Sequence, residues 1–323
     1  MVNTLPHLLD PRSLAAPLML GLLAWLALAP AGAAERYLHP LGVEMPAEAA
    51  SKDLCELKQH RVFVETSLGS ECIAYYPTSR LKGADHAIFY LDGDVPSEMA
   101  KDKRVMERFL TVSMLRLEVL AAEHNLPFIY IGRPGVFGSS GNHAKSKRVR
   151  EFRILEAAID AIKARHGLKT ISLAGQSGGS TAIAALLTFG RTDVRCAVPA
   201  SGSYAVFERL DRLLAKAGRR PVHRMSPEEW ADYYDIMRNI GGIARQPARK
   251  IIIVGDPADT ITPFDLQKRF SETLAENGHH AVLVASNARD RDHHGLGHIA
   301  MAIAGACARG LPDSELVRIG RSP

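Results

Sequence analysis

The chain has 323 residues, is 46% hydrophobic, 23% charged and 6% aromatic, and carries a formal net charge of +5 at pH 7. Such a composition excludes an intrinsically disordered chain, a collagen-like repeat and a multi-span membrane protein. The excess of 40 Lys and Arg over 35 Asp and Glu is gathered into no basic stripe, so no nucleic-acid partner is expected.

In chain order the first feature is Pro17–Ala29, an unbroken apolar run of 13 residues. A bilayer span needs ~20 apolar residues, so the run is too short to cross. With Arg12 before it and Ala31-Gly32-Ala33 after it, residues 1–33 read as a signal peptide; an uncleaved anchor is the alternative. Cleavage after Ala33 leaves residues 34–323 as one domain with no stable membrane span, exported to the periplasm or secreted. An oxidising compartment turns the even set Cys55, Cys72, Cys196 and Cys307 into a disulfide question. Three pairings are open. Because Cys55 and Cys72 flank a hairpin, that pair with Cys196–Cys307 is the simplest, and buried free thiols compete with it.

Arg61–Glu65 and Glu71–Tyr76 flank Ser67-Leu68-Gly69-Ser70 and predict an antiparallel hairpin. Short apolar runs follow at Ala87–Leu91, Phe128–Gly132, Thr170–Ala174, Arg195–Pro199, Lys250–Val254 and Ala281–Ala285. Continuous runs of this kind suit strands covered on both faces. Phe152, Leu155, Ile159 and Ile162 repeat at helical spacing, as do Leu266, Phe270 and Leu274. The rhythm predicts an α/β chain: one mostly parallel eight-stranded sheet, led by the hairpin, with helices on both faces. The basic run Lys145, Lys147, Arg148, Arg150 and Arg153 opens a helix that also carries Glu151, Glu156 and Asp160, and reads as a solvated face.

Gly175-Gln176-Ser177-Gly178-Gly179 follows the strand at Thr170–Ala174 and opens the helical run Ser180–Leu187. That is the G-x-S-x-G nucleophile elbow in the strand–turn–helix setting it requires. It makes Ser177 a candidate nucleophile and the Gly178 amide an oxyanion donor. The second donor is expected after an early strand, at Asp94 or Gly93 in Leu91-Asp92-Gly93-Asp94. Two carboxylates oppose an oxyanion there, so they must point away or be neutralised by Arg133.

Residues 204–248 contain no convincing strand. Ser226-Pro227-Glu228-Glu229 reads as a helix start and Trp230, Tyr233, Tyr234 and Met237 share a flank, which predicts a small helical cap over the sheet edge. The strand at Lys250–Val254 then ends in a loop holding Asp256 and Asp259, either of which could orient a base; Asp259, with Pro263 four residues on, is preferred. The base comes from His293, His294 and His298, with His294, in the loop before the last helix, the first choice. No Cys or Glu-x-x-His accompanies the histidines, so no metal is expected. Gly295–Ala300 fits a dinucleotide fingerprint only nominally, lacking a βαβ unit, and no cofactor is expected.

The elbow, the late acid and the His before the last helix resemble the α/β-hydrolase superfamily. Arg133-Pro134-Gly135-Val136-Phe137-Gly138-Ser139-Ser140 resembles the R-x-G-x-G-x-S loop that many members carry. The resemblance covers essentially all of residues 34–323. It implies a triad of Ser177, Asp259 and His294 in a serine hydrolase acting on a small-molecule ester, with a short-peptide substrate as the alternative and a non-catalytic binding protein on the same fold as a third. The sequence departs from the family at Asp92-Gly93, where His-Gly is usual, and in the four-residue step from Gly255 to the acid. No oligomeric state is specified.

Overall fold

The computed structural model describes residues 51–219 and 232–322. The leader at 1–33 and the helix start at Ser226–Glu229 with Trp230 lie outside the described residues. Eight strands form one sheet: β1 Arg61–Thr66, β2 Gly69–Pro77, β3 His86–Leu91, β4 Phe128–Ile131, β5 Thr170–Gln176, β6 Val194–Ala200, β7 Lys250–Gly255 and β8 His280–Ala285. Their order is β1-β2-β4-β3-β5-β6-β7-β8. β1 pairs antiparallel with β2 from Arg61↔Ala74 to Thr66↔Gly69, and β2 pairs antiparallel with β4. The remaining neighbours are parallel. The hairpin turn is therefore tighter than the sequence suggests: Thr66 Oγ1 accepts from the Leu68 amide and donates to the Gly69 carbonyl, at 3.1 and 2.9 Å.

The helices are α1 Lys52–Glu56, α2 Ser97–Lys101, α3 Lys103–His124, α4 Val149–His166, α5 Gly178–Thr188, α6 Val206–Lys216, α7 Phe264–Glu276, α8 Gly297–Ala308 and α9 Asp313–Arg321. Strand alternation sends Ala87, Phe89 and Leu91 of β3 to one face. There they pack with Phe152, Leu155 and Ile159 of α4, the apolar side chains of α5, and Phe270 and Leu274 of α7. The opposite face is covered by α3, α8 and α9. Strands buried on both sides read as unbroken apolar runs, and every residue of β3 and β4 is buried.

The chain steps from β3 outward to β4 and then returns to place β5 on the other side of β3. A crevice opens where such an order reverses, at the carboxyl ends of the strands. Leu91 and Gly175 are partners in the β3–β5 ladder, so Asp92–Asp94 and Gln176–Ser177 leave the sheet side by side.

The basic run is a solvated face only in part: Lys145 and Arg153 are exposed, but four of its side chains also reach remote elements. Arg148 pairs with Asp232 and lies over the Tyr233 ring, Arg150 pairs with Glu71, Arg153 lies over the Phe189 ring, and Lys147 pairs with Asp94. Each long side chain reaches an element remote in sequence, which a local charge pattern does not encode. Within the expected cap, α6 is followed after the undescribed stretch by Tyr233, Tyr234 and Met237, partly buried against the core. Tyr234 meets the Phe152 and Phe189 rings edge-on.

Both disulfides form in the simplest pairing, Cys55–Cys72 and Cys196–Cys307, closing separations of 17 and 111 residues. The first ties α1 to β2 and the second ties β6 to α8. Loop-closure entropy gives about 3 kcal/mol for the short loop and about 5 for the long one. Guanidinium unfolding of the two paired Cys→Ala variants is therefore expected to find the Cys196/Cys307 variant the less stable.

His86, buried at the start of β3, contacts Thr170 Oγ1 and Ser172 Oγ of β5 at 2.9 and 3.2 Å. Burial, then the Arg195 charge, pushes its pKa from 6.5 down to about 4, against the opposing charge of Asp85. The unfolded chain binds this proton first, so the contribution is complete above pH 6.5 and is lost as pH falls towards 4. Unfolding free energy is expected to drop across that window by up to about 3 kcal/mol, and His86→Gln to flatten the slope in denaturant titrations at several pH values.

Candidate active site

Ser177 adopts φ 51° and ψ −116° between β5 and α5. A side chain in that region costs about 1–3 kcal/mol and persists only where its surroundings over-determine it. Here the Ser177 amide donates to the Ala200 carbonyl at 2.8 Å while its carbonyl accepts from the Thr181 amide at 3.0 Å, anchoring it to β6 and α5. A Cβ at Gly175 would come within 2.7 Å of the Gly179 backbone, and one at Gly93 within 3.3 Å of Ser177 Cβ. Glycine is required at 175, and at 93 a side chain would be tightly packed against Ser177. The Gly178 amide occupies the first position of α5, where a helix offers no internal acceptor.

The loop after β7 brings Asp259 to His294, with His294 Nδ1 2.8 Å from Asp259 Oδ2 and the Asp259 side chain fully buried. Asp259 is held from every side. Its Oδ1 accepts from the Ile261 and Thr262 amides at 2.8 and 2.9 Å, and its Oδ2 from Thr262 Oγ1 at 2.8 Å. In the tautomer that donates from Nδ1 to this carboxylate, Nε2 keeps its lone pair free. Gln176, the residue before Ser177, steadies the histidine loop: its Nε2 donates to the His294 carbonyl at 2.7 Å and its Oε1 accepts from the Leu296 amide at 3.1 Å.

The alternates are placed differently. Asp256 accepts from the Ala258 and Ala288 amides at 2.8 Å each and lies 3.2 Å from His293 Nδ1, in a second carboxylate–imidazole pair. His298 lies on the exposed side of α8, where burial, then the charges of Arg116 and Arg289, lowers its pKa. Among the described residues no cluster of three or more His, Cys, Asp or Glu side chains is placed to hold a metal ion.

Ser177, Gly178, Gly93, Asp94 and His294 line one cavity of about 390 Å³, with Thr262, Gln176, Lys147 and Arg209 also in its wall. In the loop after β3, the Gly93 amide is committed to Asp92 Oδ1 at 2.9 Å and the Val95 amide to His143 Nε2 at 3.0 Å. The Gly93 amide is thus engaged within its own loop, while Gly93, Asp94 and Gly178 all border the cavity. The two carboxylates are dealt with separately. Asp92 is buried beneath Tyr90 and Tyr130, whose hydroxyls reach it at 3.3 and 3.5 Å; burial raises its pKa above the usual carboxylate range. Asp94 accepts from Arg133 Nη1 at 2.9 Å and pairs with Lys147. Although burial opposes ionisation, those two cations hold its carboxyl well below the ordinary value.

Arg133 is itself only 1% exposed. Its Nε donates to Glu151 Oε1 at 2.8 Å, and Nη1 also reaches the Asp92 carbonyl at 3.3 Å. Thr262 and Arg209 carry no motif in the sequence, whereas Gln176 lies inside the elbow and Lys147 inside the basic run.

No protein-family model matches this sequence, and no curated protein is similar to it. Solved structures share its architecture. An esterase of Pyrococcus furiosus superposes with a TM-score of 0.53 at 14% identity, over 84% of this chain and 94% of the esterase. The acylaminoacyl peptidase of Pyrococcus horikoshii gives a TM-score of 0.50 at 13% identity, over 85% of this chain and 45% of the peptidase. The chain thus has the α/β-hydrolase fold.

Glu151 is the main partner of the buried Arg133 charge. Breaking one partner of a buried pair costs about 3–5 kcal/mol. Glu151→Ala is expected to lower the unfolding free energy by that amount in urea titration.

Proposed function

We propose that this α/β-hydrolase-fold chain is an exported serine hydrolase that cleaves a carboxylic ester through an acyl-enzyme. The observation that carries this reading is the 2.8 Å Asp259–His294 pair on the same cavity as a serine held at φ 51°. Ser177 Oγ attacks the ester carbonyl carbon as His294 Nε2 takes its proton. The buried Asp259 carboxylate stabilises the resulting imidazolium. The carbonyl oxygen, now an oxyanion, receives the Gly178 and Asp94 amides, each donor worth about 3–4 kcal/mol in the transition state. Collapse breaks the bond to the leaving oxygen, which takes the proton back from His294. Water, deprotonated by the same imidazole, then releases the acid and restores Ser177.

An ester is the substrate expected, because its alkoxide or phenolate can leave with little proton transfer, whereas an amide nitrogen must be protonated before it leaves. Export is supported by the two disulfides, which persist in oxidising compartments. Among the described residues no helix is long and apolar enough to cross a membrane. Of the expected cap, α6 borders the cavity through Arg209.

A fluorophosphonate probe is expected to label the wild-type protein at Ser177 and to leave folded Ser177→Ala unlabelled. With p-nitrophenyl acyl esters, Asp259→Asn is expected to lower kcat by about 10⁴, because an amide favours the wrong imidazole tautomer. Asp256→Asn, which disturbs turn hydrogen bonds, is expected to cost about 1–2 kcal/mol of stability and far less activity. Turnover of aminoacyl amides at rates matching the esters would move the assignment to a peptidase.

A further inference from the structure

We propose that Arg209 and Ser203 form a carboxylate subsite beside Ser177, so that the substrate carries a free carboxylate near its scissile carbonyl. This rests on the serine-hydrolase reading and names the substrate class of that same site. Arg209, half-buried on α6, lines the cavity with Ile261 and Thr262. Its Nε donates to the Ile261 carbonyl at 2.9 Å, which fixes the plane of the guanidinium. Among the described residues neither terminal nitrogen has an acceptor. The charges that act on it are Asp94 and Asp259, and both are already committed. Asp94 is shared by Arg133 and Lys147, and Asp259 by His294, Thr262 and two backbone amides. The cavity therefore desolvates a cation without supplying its counter-ion, and burial lowers the Arg209 pKa against the pull of those two carboxylates.

A second group points to the same ligand. Ser203 lines the cavity at 5% exposure, and its hydroxyl is buried with no hydrogen-bond partner among the described residues. Its backbone is fixed, since the Ser203 amide donates to Thr181 Oγ1 at 3.1 Å and its carbonyl accepts from the same hydroxyl at 3.2 Å. A buried hydroxyl left unpaired is costly; a carboxylate that takes one oxygen to Ser203 and presents the other to the guanidinium edge satisfies both groups. Sheet order separates this wall from its counterpart. Ser203 and Thr262 follow β6 and β7 on one side of β5, whereas Val95, Met99 and Phe109 follow β3 on the other. The ligand so described is anionic on the β6–β7 side and meets Val95, Met99 and Phe109 across from it.

The test compares kcat/KM for matched ester pairs. On the acyl side, p-nitrophenyl hemisuccinate, hemiglutarate and hemiadipate are each set against the methyl-capped diester. On the leaving-group side, 4-carboxyphenyl butyrate is set against its methyl ester. The wild-type protein is expected to favour the anionic member of at least one pair by about tenfold to a hundredfold, and Arg209→Gln to bring that ratio close to one. A ratio near one in every pair, with Ser177 still labelled by a neutral fluorophosphonate, overturns the subsite and leaves the hydrolase reading standing. A ratio that survives in both Arg209→Gln and Arg209→Glu overturns it equally. Failure of the wild-type protein to label overturns the hydrolase reading and the subsite with it. The wild-type comparison is independent of how the variants fold, and labelling of each variant reports an intact site.

Discussion

A guanidinium buried to 1% exposure organises the centre of this molecule. Leaving Arg133 unpaired in the interior would cost several kcal/mol, so the fold must bring carboxylates to it. They arrive from two directions: Glu151 from α4 and Asp94 from the loop after β3. The same side chain also takes the Asp92 carbonyl. One charge thereby sets the distance between the end of β4, the first turn of α4 and the loop that faces Ser177. It also neutralises the acidic loop on the cavity wall, where the Asp94 carboxylate meets both Arg133 and Lys147.

The elbow and the histidine loop are coupled by comparable means. Ser177 is held in a region of φ and ψ that a side chain avoids, and the restraint comes from α5, β6 and the close approach of glycines. Gln176, immediately before it, hydrogen-bonds both sides of the turn that carries His294. The strained residue and the imidazole loop are thus fixed to each other through one amide side chain. Preorganisation of this kind lets a site hold its geometry without relying on the ligand.

Much of this was legible in the sequence because the signals are local. Apolar runs marked six of the eight strands and a hairpin pattern the other two, and the glycines of the elbow marked Ser177. The end of β7 and the loop before α8 marked where the acid and histidine candidates lie, and there Asp259 meets His294 while Asp256 meets His293. What was illegible depends on partners far apart in the chain. Lys147 reads as part of a solvated basic run because its partner, Asp94, lies 53 residues away. The commitment of the Gly93 amide to Asp92 is local, yet it follows from a carboxylate turning back under Tyr90 and Tyr130, which no spacing rule foretells. Arg209 sits on an amphipathic helix, and only the cavity reveals that its terminal nitrogens have no acceptor among the described residues.

The Cys196–Cys307 bond closes a covalent ring that contains Ser203, Arg209, Asp259 and His294, with Ser177 just outside it. A single backbone scission anywhere inside that ring therefore separates nothing: both fragments stay joined through sulfur, and every one of these groups remains part of one molecule. Tolerance of a cut chain in this half of the protein is a redox property, held while the bond is oxidised and forfeited when it is reduced.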